Sequence, residues 1–142
     1  MDKIKAPADA LDRFFSKREP GGVVSVYLFG SHGEARAHRE SDVDIALLLD
    51  WKSYPGRRER FEQCLRLSAL MSSVLGTDAV DTIVLNDAPP RLGAKIMATG
   101  KRLFCSNHHL DQAFLRDIQL RSADLSPFLD RTRRIKLAVI QE

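Results

Sequence analysis

The chain of 142 residues has no long apolar run. Its longest strictly apolar stretch is the five residues from Ile45 to Leu49, whereas a helix needs about 20 such residues to cross a bilayer. The N-terminus, Met1 to Lys5, lacks the apolar core of a secretory signal peptide. We therefore expect no membrane span and a cytoplasmic location.

Cysteine is scarce, and several common catalytic motifs are missing. Cys64 and Cys105 are the two cysteines, and they form neither a CxxC pair nor a metal-type spacing, so we expect both to be buried and reduced. The chain contains no GxxxxGKS/T, no GxGxxG and no HExxH. A P-loop kinase, a Rossmann enzyme and a zincin are therefore not supported.

A large excess of charge of one sign is also missing. The 22 basic and 19 acidic residues give a net charge of +3 and are interspersed without a basic tail. This balance permits an anionic ligand such as a nucleotide, and we expect no direct binding of nucleic acid. The hydrophobic content of 44% is that of a globular protein, and the length predicts one domain over residues 1–142.

Alternation of strand and helix patterns predicts an α/β domain. It has a mixed sheet of about four strands flanked by helices, with a catalytic core at about 20–105 and a C-terminal helical segment at about 107–142. The predicted strands are Val23 to Phe29, Asp42 to Asp50, Ala79 to Leu85 and Lys101 to Cys105, and the predicted helices cover about 6–17, 57–75, a stretch to about Thr99 capped within Asn86 to Pro90, 109–122 and 127–141, with a short helix or turn after Ser31. On the helix at 57–75, the predicted apolar face carries Phe61, Cys64, Leu65, Met71 and Leu75.

One joint pattern organises the chain. The first strand stops at Gly30-Ser31, ten residues follow, and Asp42-Val43-Asp44 opens the second strand. Because side chains alternate along a strand, Asp42 and Asp44 share a face, at Cα positions roughly 7 Å apart. Like charges at that spacing repel, so a divalent cation between them is expected.

Asp81 lies on the third predicted strand and would join the pair if that strand lies beside the second. Three carboxylates suit Mg²⁺, which also takes phosphate oxygens, and two such ions can activate an attacking hydroxyl and neutralise a leaving pyrophosphate. Gly30 permits close approach of the backbone to a triphosphate, and Ser31 can donate hydrogen bonds to phosphate oxygens. The alternative is that Asp81 has no role in a site and only begins a strand.

The pattern from Gly30 to Asp44 resembles the signature of the nucleotidyltransferases of the DNA polymerase beta superfamily. More narrowly, it is similar to the minimal nucleotidyltransferases, the MNT antitoxins that pair with HEPN toxins. The similarity runs from about Val23 to Cys105 and includes the later stretch Val80 to Asn86. The loop departs from the family at Gly33, where Ala is common, and at Ala35, where Gly is common.

The resemblance implies a stand-alone enzyme that transfers AMP from ATP to a tyrosine of a HEPN toxin and also binds that toxin. Asp42, Asp44 and Asp81 would be the catalytic and metal-binding residues and would hold two Mg²⁺ ions. Gly30, Ser31, Arg36 and Arg39 would contact the nucleotide, although Arg36 and Arg39 are equally well explained as solvated loop residues.

Other interpretations stay open. The protein can be an antitoxin that acts by binding alone, or a nucleotidyltransferase for a small-molecule acceptor, which the short chain disfavours. The helix predicted at 127–141 can dock the toxin or pack on the domain. Trp51 and Tyr54 can stack on a base or a partner, or simply pack in their loop.

Overall fold

The computed structural model describes residues 7–30 and 42–123. Within these residues the chain forms four α-helices and four strands: α1 (Pro7–Arg18), β1 (Val23–Phe29), β2 (Val43–Leu49), α2 (Arg57–Leu75), β3 (Val80–Val84), α3 (Pro90–Thr99), β4 (Lys101–Cys105) and α4 (His108–Ala123). The predicted turn or helix after Ser31 and the predicted helix at 127–141 lie outside the described residues.

The four strands form one mixed sheet in the order β3-β2-β1-β4. β1 runs antiparallel to both β2 and β4, whereas β2 and β3 are parallel. A parallel pair needs a long crossover connection, and α2 supplies it. The predicted α/β class, with a mixed four-stranded sheet flanked by helices, is confirmed.

Helices cover both faces of the sheet, and the two cores meet at β2. Leu47 belongs to the cluster that contains Met71 of α2, and its neighbour Leu48 belongs to the cluster that contains Ile96 of α3. Because successive side chains point to opposite faces, a strand in contact with both cores must be apolar at nearly every position. β2 is therefore buried on both of its faces.

The predicted apolar face of α2 is partly wrong. Phe61 and Leu65 are 58% and 53% exposed, while Arg60 is only 5% exposed. The buried face is thus rotated by one position from the one that apolarity alone selects. The prediction failed at Arg60 because its charge is satisfied inside the protein. Its Nε and Nη2 donate to the Asp87 carboxylate at 2.9 and 2.8 Å, and its Nη1 donates to the carbonyl oxygen of Tyr54 at 2.9 Å.

The predicted side-chain cap of α3 is also wrong. The N-cap is Pro89 and makes no side-chain cap hydrogen bond. Asn86 instead extends the sheet, since its Oδ1 accepts from the Leu49 amide at 2.9 Å and its Nδ2 donates to the Leu49 carbonyl at 2.8 Å. β3 ends one residue earlier than predicted, because Leu85–Asp87 form a 3₁₀ turn.

Both cysteines are free, as predicted, but only Cys64 is buried. Burial raises the pKa of its thiol to about 11. Cys105 is partly exposed, which corrects its predicted burial, because it lies at the end of β4, an edge strand of the sheet.

A buried polar network attaches α4 to the sheet. The Tyr27 hydroxyl donates to Asp111 at 2.8 Å, and Asp111 is fully buried. Arg102 of β4 donates to the same carboxylate at 3.1 Å. Burial and the bond to Asp111 raise the pKa of Tyr27, which keeps its hydroxyl protonated. The network therefore holds a buried charge between a cation and a neutral donor.

None of the helices in the described ranges is long and apolar enough to cross a membrane.

Candidate active site

The geometry of the sheet brings three chain segments to one edge. β1 ends at Phe29, beside the beginning of β2, because the two strands are antiparallel. β3 begins beside the beginning of β2, because those two strands are parallel. The residues that follow β1 and those that open β2 and β3 therefore lie together at this end of the sheet.

The register aligns two of the predicted carboxylates. Asp44 is paired with Phe29 on one side and with Asp81 on the other. Side chains of directly paired residues project from the same face of a sheet, and neighbouring strands lie about 4.8 Å apart. Asp81 thus stands beside Asp44, which is the condition on which their grouping depends. Asp42 is exposed and immediately precedes β2.

Gly30 lies directly against this pair. Its φ is +68°, a conformation that side chains with a Cβ adopt at a cost. A Cβ placed there would collide with the Asp44 carboxylate. Gly30 and Asp44, the two ends of the sequence pattern, therefore meet in space, and the glycine leaves room for the carboxylate.

Like charges face each other at this edge. Like charges on directly opposed residues of adjacent strands are unfavourable by roughly 0.2–1 kcal/mol, and two close carboxylates favour a cation between them. Across residues 7–30 and 42–123, no three His, Cys, Asp or Glu side chains are grouped so as to hold a metal ion. The predicted set of Asp42, Asp44 and Asp81 therefore does not form a complete protein cage.

The donors nevertheless fit one kind of metal. Mg²⁺ prefers oxygen ligands and is usually held by one or two carboxylates together with substrate phosphates. Asp44 and Asp81 supply two such carboxylates in register, and the space next to Gly30 is kept free of a Cβ. An incomplete carboxylate set suits a magnesium ion that arrives with a triphosphate.

Comparison with protein families agrees with this geometry. Residues 10–109 match the family model described as polymerase beta, nucleotidyltransferase. The chain belongs to this family. A comparison with curated protein sequences found no match.

Solved structures show the same fold. A chain of a toxin–antitoxin crystal structure with AMP-PNP is similar at 24% identity and a TM-score of 0.59, over 95% of this chain and 98% of that one. A chain of a structure of the tri-AMPylated Shewanella oneidensis HEPN toxin in complex with MNT antitoxin is similar at 20% identity and a TM-score of 0.53, over the full length of both chains. A chain of the toxin–antitoxin MntA-HepT is similar at 20% identity and a TM-score of 0.53, over 96% and 97% of the two chains.

The nucleotidyltransferase fold thus brings together Gly30, Asp44 and Asp81. Asp42 lies two residues before Asp44 in the sequence. Ser31, Arg36 and Arg39 lie outside the described residues, and their contacts with the nucleotide stay predictions.

Phe29 is a site residue that the sequence interpretation missed. It is half-buried and pairs directly with Asp44, so its ring lies on the same face as the carboxylates. Its position at the end of β1 indicates a place beside Asp44 only when the register of β1 with β2 is known.

Replacing Gly30 with alanine tests the contact with Asp44. We expect Gly30→Ala to lower the rate of nucleotide transfer by about 10²-fold, because a displaced carboxylate loses its productive geometry, while the free energy of unfolding falls by only about 1–2 kcal/mol from the strained φ. Steady-state kinetics and urea unfolding measure the two effects. Gly21→Ala is the control, since a Cβ there meets nothing within 4 Å. Equal loss of activity in both variants would contradict the role of the contact.

Proposed function

We propose that this nucleotidyltransferase is an antitoxin that transfers AMP from ATP to a tyrosine hydroxyl of a HEPN toxin and so neutralises it. The observation that carries the proposal is the in-register pair Asp44 and Asp81 beside Gly30. Two like charges on directly opposed residues favour a cation between them, and Mg²⁺ is usually held by one or two carboxylates together with substrate phosphates.

The similar structures support the choice of acceptor. They include a toxin–antitoxin with AMP-PNP and a tri-AMPylated HEPN toxin in complex with MNT antitoxin. The alignments cover nearly the whole of both chains. We further propose that the protein acts in the cytoplasm, where ATP is available.

The proposed reaction assigns a role to each acidic residue. Asp42 and Asp44 would hold Mg²⁺, and Asp81 would share in that site. Bound Mg²⁺ supplies neutralisation of the phosphate charge as pyrophosphate leaves. Asp81 is exposed at the edge of the sheet, where it can accept the proton of an incoming tyrosine hydroxyl. The tyrosine oxygen then forms a bond to the α-phosphorus, and the bond from that phosphorus to the pyrophosphate oxygen breaks.

The direct test uses the purified protein together with a purified HEPN toxin as the acceptor. With ATP labelled at the α-phosphate and Mg²⁺ present, we expect label on the HEPN protein, and with ATP labelled at the γ-phosphate we expect none. Chelation of the metal with EDTA should abolish labelling. Transfer of the γ-label would indicate a kinase and overturn the proposal. Toxin neutralised in cells without any label would indicate an antitoxin that acts by binding alone.

A further inference from the structure

The outer edge of β3 is open in the described part of the chain. β3 is the last strand of the sheet, and no strand within residues 7–30 and 42–123 pairs with its outer side. Edge strands offer unpaired backbone groups and are normally shielded by charge, by bulges or by a covering element. Here a groove of about 360 Å³ lies along the edge, between α2 and α3. We call it the β3-edge groove, and its lining includes Arg57, Phe61, Leu65, Thr82, Ile83 and Leu92.

Exposed apolar side chains flank the β3-edge groove on both sides. Phe61 and Leu65 of α2 are 58% and 53% exposed, and Leu92 of α3 is 42% exposed. Phe61 and Leu65 are four residues apart and therefore share one side of the helix. An apolar patch that spans two helices and a strand edge is typical of an interaction surface. Phe61 and Leu65 were predicted to lie on the apolar face of α2, and both are exposed instead.

The charges around the β3-edge groove differ at its two ends. Arg57 is the first residue of α2 and Arg91 the second of α3, and both are exposed. The two helices begin where the parallel strands β2 and β3 finish, so both arginines lie at that end. Asp87 near them is already bound by Arg60. Asp81 lies at the opposite end of β3, which is the end of the candidate active site.

We propose that the β3-edge groove docks the acceptor protein. The docked surface would carry apolar side chains for Phe61, Leu65 and Leu92, and acidic side chains at the end that meets Arg57 and Arg91. Asp81 and Val84 are three residues apart on β3, which is about 10 Å. A protein seated in the groove therefore has surface within that distance of the proposed catalytic base. This inference rests on the proposed function, because it takes the protein that receives AMP as the occupant.

Binding to a purified HEPN toxin, measured by calorimetry without nucleotide, tests the groove. We expect Leu65→Asp and Leu92→Asp each to weaken the Kd by about tenfold or more, because a charge replaces an apolar anchor at the centre of the contact. Leu120→Asp is the matched control, since Leu120 is 61% exposed on α4 and does not line the groove. We expect it to change the Kd by less than about twofold. Thermal unfolding of all three variants should match that of the wild type, because each of the three side chains is exposed.

The charge at the far end provides a second measurement. Arg57→Glu combined with Arg91→Glu should weaken binding and reduce its dependence on salt, because fewer charge pairs then form across the contact. Wild-type binding with a Kd unaffected by the leucine variants would overturn the inference, as would the absence of any complex. A dimer of this chain alone that Leu65→Asp dissociates would make the groove a self-interface and would overturn it too. A complex that forms through the groove but transfers no AMP would overturn the proposed function and leave the docking surface supported.

Discussion

Replacing Asp44 with asparagine is expected to lower the rate of AMP transfer by about 10²–10³-fold, while the protein stays folded. The amide keeps the size of the side chain next to Gly30 but removes the negative charge that would hold Mg²⁺, and electrostatic groups of this kind each contribute about 10²–10³ in rate. The substitution also removes the repulsion between Asp44 and Asp81, which are directly paired like charges.

The same loss of rate is expected for Asp81→Asn, but binding should separate the two variants. Asp44→Asn should weaken Mg²⁺-ATP binding, whereas Asp81→Asn should affect mainly the transfer step if Asp81 accepts the hydroxyl proton. Calorimetry with Mg²⁺ and a non-hydrolysable ATP analogue, together with single-turnover transfer, measures both. Asp78→Asn is the control, because Asp78 is an exposed carboxylate two residues before β3. Transfer at wild-type rate by an Asp44→Asn/Asp81→Asn double variant would rule out the proposed site.

Much of the fold follows from local sequence, because each strand is bounded by turn residues and contains mainly apolar or β-branched side chains. β1 and β4 have the predicted bounds, and α2 ends at Gly76, which adopts the left-handed conformation typical of a helix end. What local patterns cannot give is a partner that is distant in sequence. Arg60 is buried because it pairs with Asp87, which lies 27 residues further along the chain. That pairing places the buried face of α2 away from Phe61 and Leu65.

In the candidate site, too, local sequence predicts some relations between residues, and strand pairing determines the others. The spacing of Asp42 and Asp44 predicts a shared face from alternation alone, although Asp42 immediately precedes β2. The partnership of Asp44 with Asp81 depends on strand order and register, which alternation does not determine. The contact between Gly30 and Asp44 likewise depends on the antiparallel pairing of β1 with β2. Ser31, Arg36 and Arg39 stay predictions.

Arg60→Met is expected to cost about 3–5 kcal/mol of unfolding free energy, the range for breaking a buried ion pair. The Arg60 side chain is 6% exposed and that of Asp87 is 19% exposed. Loss of the guanidinium leaves the Asp87 carboxylate without its cation, and it leaves the Tyr54 carbonyl without its donor. It also removes the contact with the Trp51 ring, whose centroid is 4.7 Å from the guanidinium carbon. The hydrogen bond to Asp87 raises the pKa of Arg60, in agreement with a pair that favours the charged form.

Urea unfolding of matched variants isolates the buried pair. Arg58→Met is the control on the same helix, because the Arg58 side chain is 91% exposed and its pair with Glu62 is a surface contact, for which less than about 0.5 kcal/mol is expected. Arg60→Met/Asp87→Leu should recover much of the lost stability, since the stranded carboxylate is then gone. If Arg60→Met costs no more than Arg58→Met, the pair is not what holds α2 to the segment after β3. Arg60 bonds to Tyr54 in the segment after β2 and to Asp87 in the segment after β3, at the end of the sheet opposite Asp44. We therefore expect its loss to lower stability while leaving Mg²⁺-ATP binding by the folded protein intact.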